Sequence, residues 1–230
     1  VHVSTNGFVA LGVDGGVRCC GSDLGELLAG APHIAPFWTD LAPDRGGTVY
    51  VNDLGDRAVV TWAAISRFGA SETGLNTVQL QLFPTGEVVF AYGPVAAADD
   101  SSDAVLVGLS TGEGAAPAAE TSFLADLPFE SVGQATVYEL VQPQLFEQWH
   151  MAGGAIRFTP TEAAGTSWIT LDRYQTTAER HFGAQNTAET GTVVVRTNTR
   201  PALSGKFELY DDDFLQDGAN VQCQTGMSRP

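Results

Sequence analysis

Residues 76–93 read NTVQLQLFPTGEVVFAYG, two runs of alternating side chains on either side of Pro84, Thr85 and Gly86. Val78, Leu80 and Leu82 share one side of the first run, and Thr77, Gln79 and Gln81 share the other. A period of two is that of a half-buried strand, because successive side chains of an extended backbone point to opposite faces. Proline presets the backbone for the second position of a type I turn. Glycine takes the left-handed conformation that closes a three-residue hairpin with a G1 bulge. The stretch predicts a β-hairpin turning at Pro84 to Gly86.

Working outward, runs of strand character recur at Val1 to Ser4, Phe8 to Leu11, Thr48 to Val51, Ala58 to Ile65, Ala104 to Leu109, Ala135 to Val141 and Gly154 to Thr159. Asn6-Gly7 between the first two is a short-hairpin signal, and Gly46-Gly47 precedes the third. Thr111 to Gly133 is looser, rich in Ala, Glu and Pro, with one helical turn predicted around Phe123 to Leu127. Thr161 to Thr166 reads as a linker, and beyond it three more strands are predicted at Ser167 to Tyr174, Thr192 to Thr199 and Lys206 to Tyr210. The expected organisation is a β domain over residues 1–160 and a small β-rich C-terminal domain over 161–230 that packs on the first or is completed by chain outside this sequence. No repeat of 20 to 50 residues is visible, which disfavours a solenoid or propeller.

At 230 residues the chain can bury a sizeable core, and 26 glycines with 11 prolines spread along it fit many turns between short strands. The fold class expected is all-β, an antiparallel β-sandwich. A formal charge of -16, with Lys206 the one lysine, excludes nucleic acid as a natural partner, since phosphate binding needs clustered Lys and Arg. No window approaches the roughly 18 apolar residues of a membrane span, and the opening residues lack the basic and apolar regions of a signal peptide. The expectation is a soluble chain from which any export signal has been removed.

There are three cysteines, the adjacent Cys19 and Cys20 and the distant Cys223. Structural zinc needs about four ligands at short paired spacings, and His2, His33, His150 and His181 are scattered singly. In an exported protein at least one disulfide is expected. Its pairing is open: Cys19 with Cys20 would close a strained ring, whereas either with Cys223 would tie the two ends of the chain together.

In order along the chain, VSTNGFVALG (3–12), CCG (19–21), IAPFWTDLAPDRGGTVYV (34–51), AVVTW (58–62), the opening hairpin, VGLSTG (107–112) and AIRFTP (155–160) resemble the nidogen-like domain, NIDO, and most of all its bacterial secreted members. The resemblance covers most of residues 1–160. It implies a β-rich module of extracellular, matrix or cell-surface proteins, working in adhesion or assembly and not in catalysis. Family members carry a further strand region before the STNG segment, whereas this chain opens on that segment. An unpaired sheet edge is therefore expected at Val1 to Ser4, open to a strand from a neighbour.

Four groups of residues merit a chemical reading. Phe37, Trp38 and Asp40 in APFWTDL form either a ligand-binding aromatic and acid or a buried Trp beside an Asp that satisfies loop amides. Asp40 and Asp44 together suggest a calcium loop but lack the acidic ladder of an EF-hand. Asp211, Asp212, Asp213 and Asp217, after the strand KFELY, suit a hard cation such as calcium, and FELYDDDFLQDG resembles the calcium loop of C2-like sandwiches; the plain alternative is a solvated acidic turn. Ser110 in Gly-Leu-Ser-Thr-Gly mimics a nucleophile elbow but has no base or following helix in the pattern.

The sequence thus predicts an extracellular structural or adhesive protein with no enzymatic activity and no required cofactor, with calcium as a candidate ligand. Its partners are expected to be proteins, copies of itself in a cell-surface fibre first among them. The rival is a secreted carbohydrate-binding module, or a fragment of a larger adhesin or hydrolase. Burial of Trp62, Trp149 and Trp168 would favour the scaffold, and an exposed coplanar row would favour sugar binding.

Overall fold

Alternation along the chain becomes two stacked sheets. The structure, a computed structural model, describes residues 1–12, 20–70, 74–96, 103–112, 118–123, 136–143, 152 and 154–160, together with the backbone of strands at 168–173, 208–210 and 221–222. In chain order the strands are β1 (His2–Ser4), β2 (Val9–Ala10), β3 (His33–Trp38), β4 (Thr48–Asp53), β5 (Ala58–Ser66), β6 (Leu75–Leu82), β7 (Val88–Tyr92), β8 (Val105–Ser110), β9 (Ala118–Glu120), β10 (Thr136–Val141), β11 (Ala155–Pro160), β12 (Trp168–Arg173), β13 (Glu208–Tyr210) and β14 (Val221–Gln222). Among the described residues one short helix, α1 (Leu24–Ala29), and one 3-10 turn, Pro43–Arg45, accompany them. The first sheet runs β13-β1-β2-β3-β8-β10-β9 and the second β12-β11-β7-β6-β5-β4-β14. Pairing is antiparallel except at three margins, where β13 on β1, β9 on β10 and β14 on β4 run parallel. The all-β sandwich is as the sequence predicts.

The opening hairpin forms in the expected register, Val78 opposite Tyr92 and Leu82 opposite Val88. The Gly86 N–H donates to the Phe83 carbonyl at 2.9 Å and the Phe83 N–H to the Glu87 carbonyl at 3.0 Å, with Gly86 at φ +87°. One expectation about it changes. Gln79 and Gln81 are wholly buried instead of facing solvent, and they bear it because Gln81 Nε2 donates to Gln79 Oε1 at 2.9 Å and Gln79 Nε2 to Thr61 Oγ1 at 2.8 Å.

Between the sheets lie Val49, Val60, Leu80, Phe90, Val107 and Ile156 with their neighbours. Each such side chain contributes about 1.5–3 kcal/mol by leaving water. Two aromatic tips tie the layers together. Trp62 Nε1 on β5 donates to the Ser4 carbonyl at 2.8 Å, and the Tyr92 hydroxyl on β7 donates to the Pro36 carbonyl at 2.9 Å.

Strand β3 is absent from the sequence prediction, because Pro36 in its middle removes a ladder donor and HIAPFW has no period of two. The structure accommodates the proline with a register shift between Ala35 and Trp38 against β8. The carbonyl freed there is the one Tyr92 takes.

Chain beyond Pro160 contributes described strands to both sheets. β12 pairs with β11, β14 with β4, and β13 with β1, placing His2 opposite Glu208 and Ser4 opposite Tyr210. The edge expected at Val1 to Ser4 for a neighbour's strand is therefore occupied: β1 has β2 on one side and β13 on the other. The strand predicted at Thr192 to Thr199 lies outside the described residues, as does the helical turn predicted at Phe123 to Leu127 beyond its first residue.

Candidate functional site

Two of the motifs that carry the resemblance, STNG and PFWTDL, meet at the end of β3. The β1–β2 turn folds tightly because Asn6 N–H donates to Ser4 Oγ at 3.1 Å and Gly7 adopts φ +81°. It docks on the end of β3 through three bonds. Phe37 N–H donates to the Gly7 carbonyl and Thr39 N–H to the Asn6 carbonyl, each at 3.2 Å, and Leu41 N–H donates to Asn6 Oδ1 at 3.0 Å. A Cβ on Gly7 would strike the Phe37 carbonyl, so only glycine permits this approach. STNG and PFWTDL are thus two halves of a single backbone junction.

Arg67, which nothing in the sequence singles out, sits wholly buried behind it. Its Nε donates to Thr39 Oγ1 at 3.3 Å and its guanidinium to the Asp103 carbonyl, while its backbone bridges to Leu41. Ser22 Oγ reaches the neighbouring Ala104 carbonyl at 3.0 Å. A buried guanidinium is tolerated only when its donors are occupied, and here they gather the ends of β3, β5 and β8. No local pattern announces such a residue, because its partners are distant in the chain.

Phe37 and Trp38 are buried, which settles the aromatic reading in favour of packing. The amide of Leu41 is satisfied by Asn6, while Asp40 gives its backbone carbonyl to Phe68 N–H at 2.7 Å. Asp44 is the middle residue of the 3-10 turn, with Oδ1 buried and without a hydrogen-bond partner. Among the described residues no three His, Cys, Asp or Glu side chains converge on a metal-sized point.

Ser110 is buried at the end of β8, where its hydroxyl lies 2.8 Å from Thr136 Oγ1 and accepts Gly112 N–H at 3.0 Å. Its ladder partner on β3 is His33. The His33 Nδ1 proton is committed to the Ala31 carbonyl, and the structure shows no bond between the Ser110 hydroxyl and the imidazole. A nucleophile without a base in contact, sealed from solvent, does not make an acyl-transfer site.

Around His33 the outer face of the first sheet carries a second, smaller core of Phe8, Ala10, Leu27, Ala35, Trp38 and Leu106. The His33 ring stacks on Trp38 with centroids 5.3 Å apart and planes 18° from parallel, and Phe8 lies 4.2 Å from Trp38. Helix α1 covers them with Leu27. Its start is readable after the fact: Asp23 Oδ1 accepts Glu26 N–H at 3.0 Å, the Asp-x-x-Glu signature of an N-terminus. Burial lowers the pKa of His33, opposed by its bond to Ala31 and by nearby Glu26, and burial with the Glu139 charge raises that of Tyr92 well above its usual value.

Asp211, Asp212, Asp213 and Asp217 lie outside the described residues, directly after β13. Cys19 and Cys223 do too. Cys20 is described, at φ +76°. Trp62 is buried; Trp149 and the side chain of Trp168 fall outside the description.

No helix among the described residues is long and apolar enough to cross a membrane. Searches of curated proteins and of solved structures return no match. A family model described as NIDO related matches residues 1–160, the same span that the seven motifs cover and that holds the junction of STNG with PFWTDL. The chain belongs to the NIDO-related family.

Proposed function

We propose that this is an extracellular adhesive or structural protein, secreted or held at a cell surface, that works through contacts with other proteins and catalyses no reaction. Membership of the NIDO-related family is the observation that carries this reading. The chemistry of the described residues supports it. The polar tips of Trp62 and Tyr92 are spent on backbone carbonyls, and the aromatics of APFWTDL are buried, so neither set offers the exposed platform of a carbohydrate-binding module.

The first partner we propose is a further copy of the chain, in a fibre or surface layer. Because β13 covers β1, contacts between copies would run over the sheet margins at β9 and β12 or over exposed side chains such as Phe68, 50% exposed, and Leu75, 42% exposed. Sedimentation velocity of the whole chain across a wide concentration range tests self-association. Larger species that grow with concentration are expected, and a lone monomer throughout would overturn this part of the reading. Binding to a glycan array with retained monomer behaviour would instead favour the carbohydrate-binding alternative.

Calcium is proposed at Asp211, Asp212, Asp213 and Asp217, on the ground that clustered carboxylates after a strand supply the oxygen ligands that a hard cation takes. Millimolar calcium should then raise the melting temperature, and Asp212→Asn with Asp213→Asn should remove that gain. An unchanged melting temperature would leave an acidic turn and no site.

A further inference from the structure

The imidazole of His33 occupies an unusual position for a titratable group. It lies in the middle of the outer apolar cluster with no solvent exposure, stacked on Trp38 and 5.5 Å from Phe8. Because Nδ1 donates to the Ala31 carbonyl, the neutral ring carries its proton there and presents a lone pair at Nε2. That Nε2 is buried without a hydrogen-bond partner, as is the Trp38 Nε1 donor beside it. A proton arriving at Nε2 would create a charged donor facing rings and aliphatic groups, a state that demands water.

The elements around His33 differ in how easily they can let water in. Strand β3 is held between β2 and β8 in the interior of the sheet. Helix α1 is six residues long, buries Leu27 alone, and is held at its start by the Asp23 cap. Local opening follows the weakest attachment. We propose that His33 is an acid-operated latch: protonation at Nε2 lifts α1 from the first sheet and uncovers the apolar face of Phe8, Trp38 and Leu106.

The charged and titratable groups facing His33 define the setting. Glu26 and Asp23 stand on α1, and Glu26 favours the imidazolium. Ser110 faces it from β8. Tyr138 of β10 packs against the same outer cluster, with Glu120 of β9 beside that tyrosine. On the β1 side, His2 lies beyond Ala10 with its ring nitrogen 3.1 Å from the Gly12 carbonyl. Among these described groups the carboxylate with a resolved pull on His33 is Glu26. The inference stands apart from the adhesive reading, since the latch is internal to one chain.

Amide hydrogen exchange on the whole chain, corrected for intrinsic rates, tests it between pH 7.5 and 5. The reporters are the Leu27 and Gly30 amides, which donate to the Asp23 and Glu26 carbonyls. Their protection should fall as the pH drops, while amides of β6 and β7 stay protected. His33→Phe should abolish that dependence, and Glu26→Gln, which removes the α1 carboxylate that attracts the imidazolium in the closed state, should deepen the loss of protection at low pH. Protection of α1 that ignores pH, or that responds equally in His33→Phe, would overturn the latch. If His33→Phe does not fold, Glu26→Gln decides: a loss of protection between pH 7.5 and 5 no greater than in the unsubstituted chain overturns the latch as well.

Discussion

At the scale of single residues, backbone geometry decides more than side-chain chemistry. Gly7 combines a left-handed φ with direct contact against the Phe37 carbonyl. Gly7→Ala should therefore cost about 2 kcal/mol or more in chemical denaturation. Ala64 is the informative counterpart. It sits at φ +56° in the bulge where β5 shifts register against β6, with its N–H donated to Thr77 Oγ1 at 2.9 Å. Ala64→Gly should relieve left-handed strain and raise stability by up to about 1 kcal/mol, less what glycine loses in chain entropy. Arg67→Lys keeps the charge but cannot serve Thr39 and the Asp103 carbonyl through separate nitrogens. A loss of about 1–3 kcal/mol is expected, read from the same unfolding curves.

Elements were legible in proportion to how local their signals are. The hairpin at Pro84 to Gly86 and the Asn6-Gly7 turn each announce themselves within a few residues, and both form where predicted. β3 does not, because Pro36 breaks the pattern of a central strand and its compensation comes from Tyr92, more than fifty residues away. α1 carries a readable cap at Asp23, but six residues hold too little periodicity to raise it above its surroundings. Asp23→Ala should cost about 1 kcal/mol and increase exchange at α1 alone. The candidate site shows the same division. STNG and FWTDL stand out as motifs, yet that they bond to each other, and that Arg67 backs them, depends on long-range placement that no window contains. The closed edge at β1 was likewise invisible, since β13 lies near the far end of the sequence.

For the whole molecule, stability is tied to pH through His33. Its folded pKa lies below the ordinary 6.5, so the unfolded chain binds more protons than the folded chain in the interval between the two values. Stability held at neutral pH should decline as pH falls through that interval, and His33→Phe should flatten this part of the profile in denaturation measured from pH 7.5 to 5. The wider account is that family motifs here build a closed junction within the first sheet, between the β1–β2 turn and the end of β3, and leave function to the outer surface. Native-state hydrogen exchange at the amides of Phe37, Thr39 and Leu41 tests it most directly, since these donate to Gly7 and Asn6. The account predicts that they exchange only through global unfolding, with the same opening free energy as the amides of β6 and β7. Fast exchange at these positions in an otherwise protected protein would contradict it, marking STNG and PFWTDL as an open surface available to a ligand.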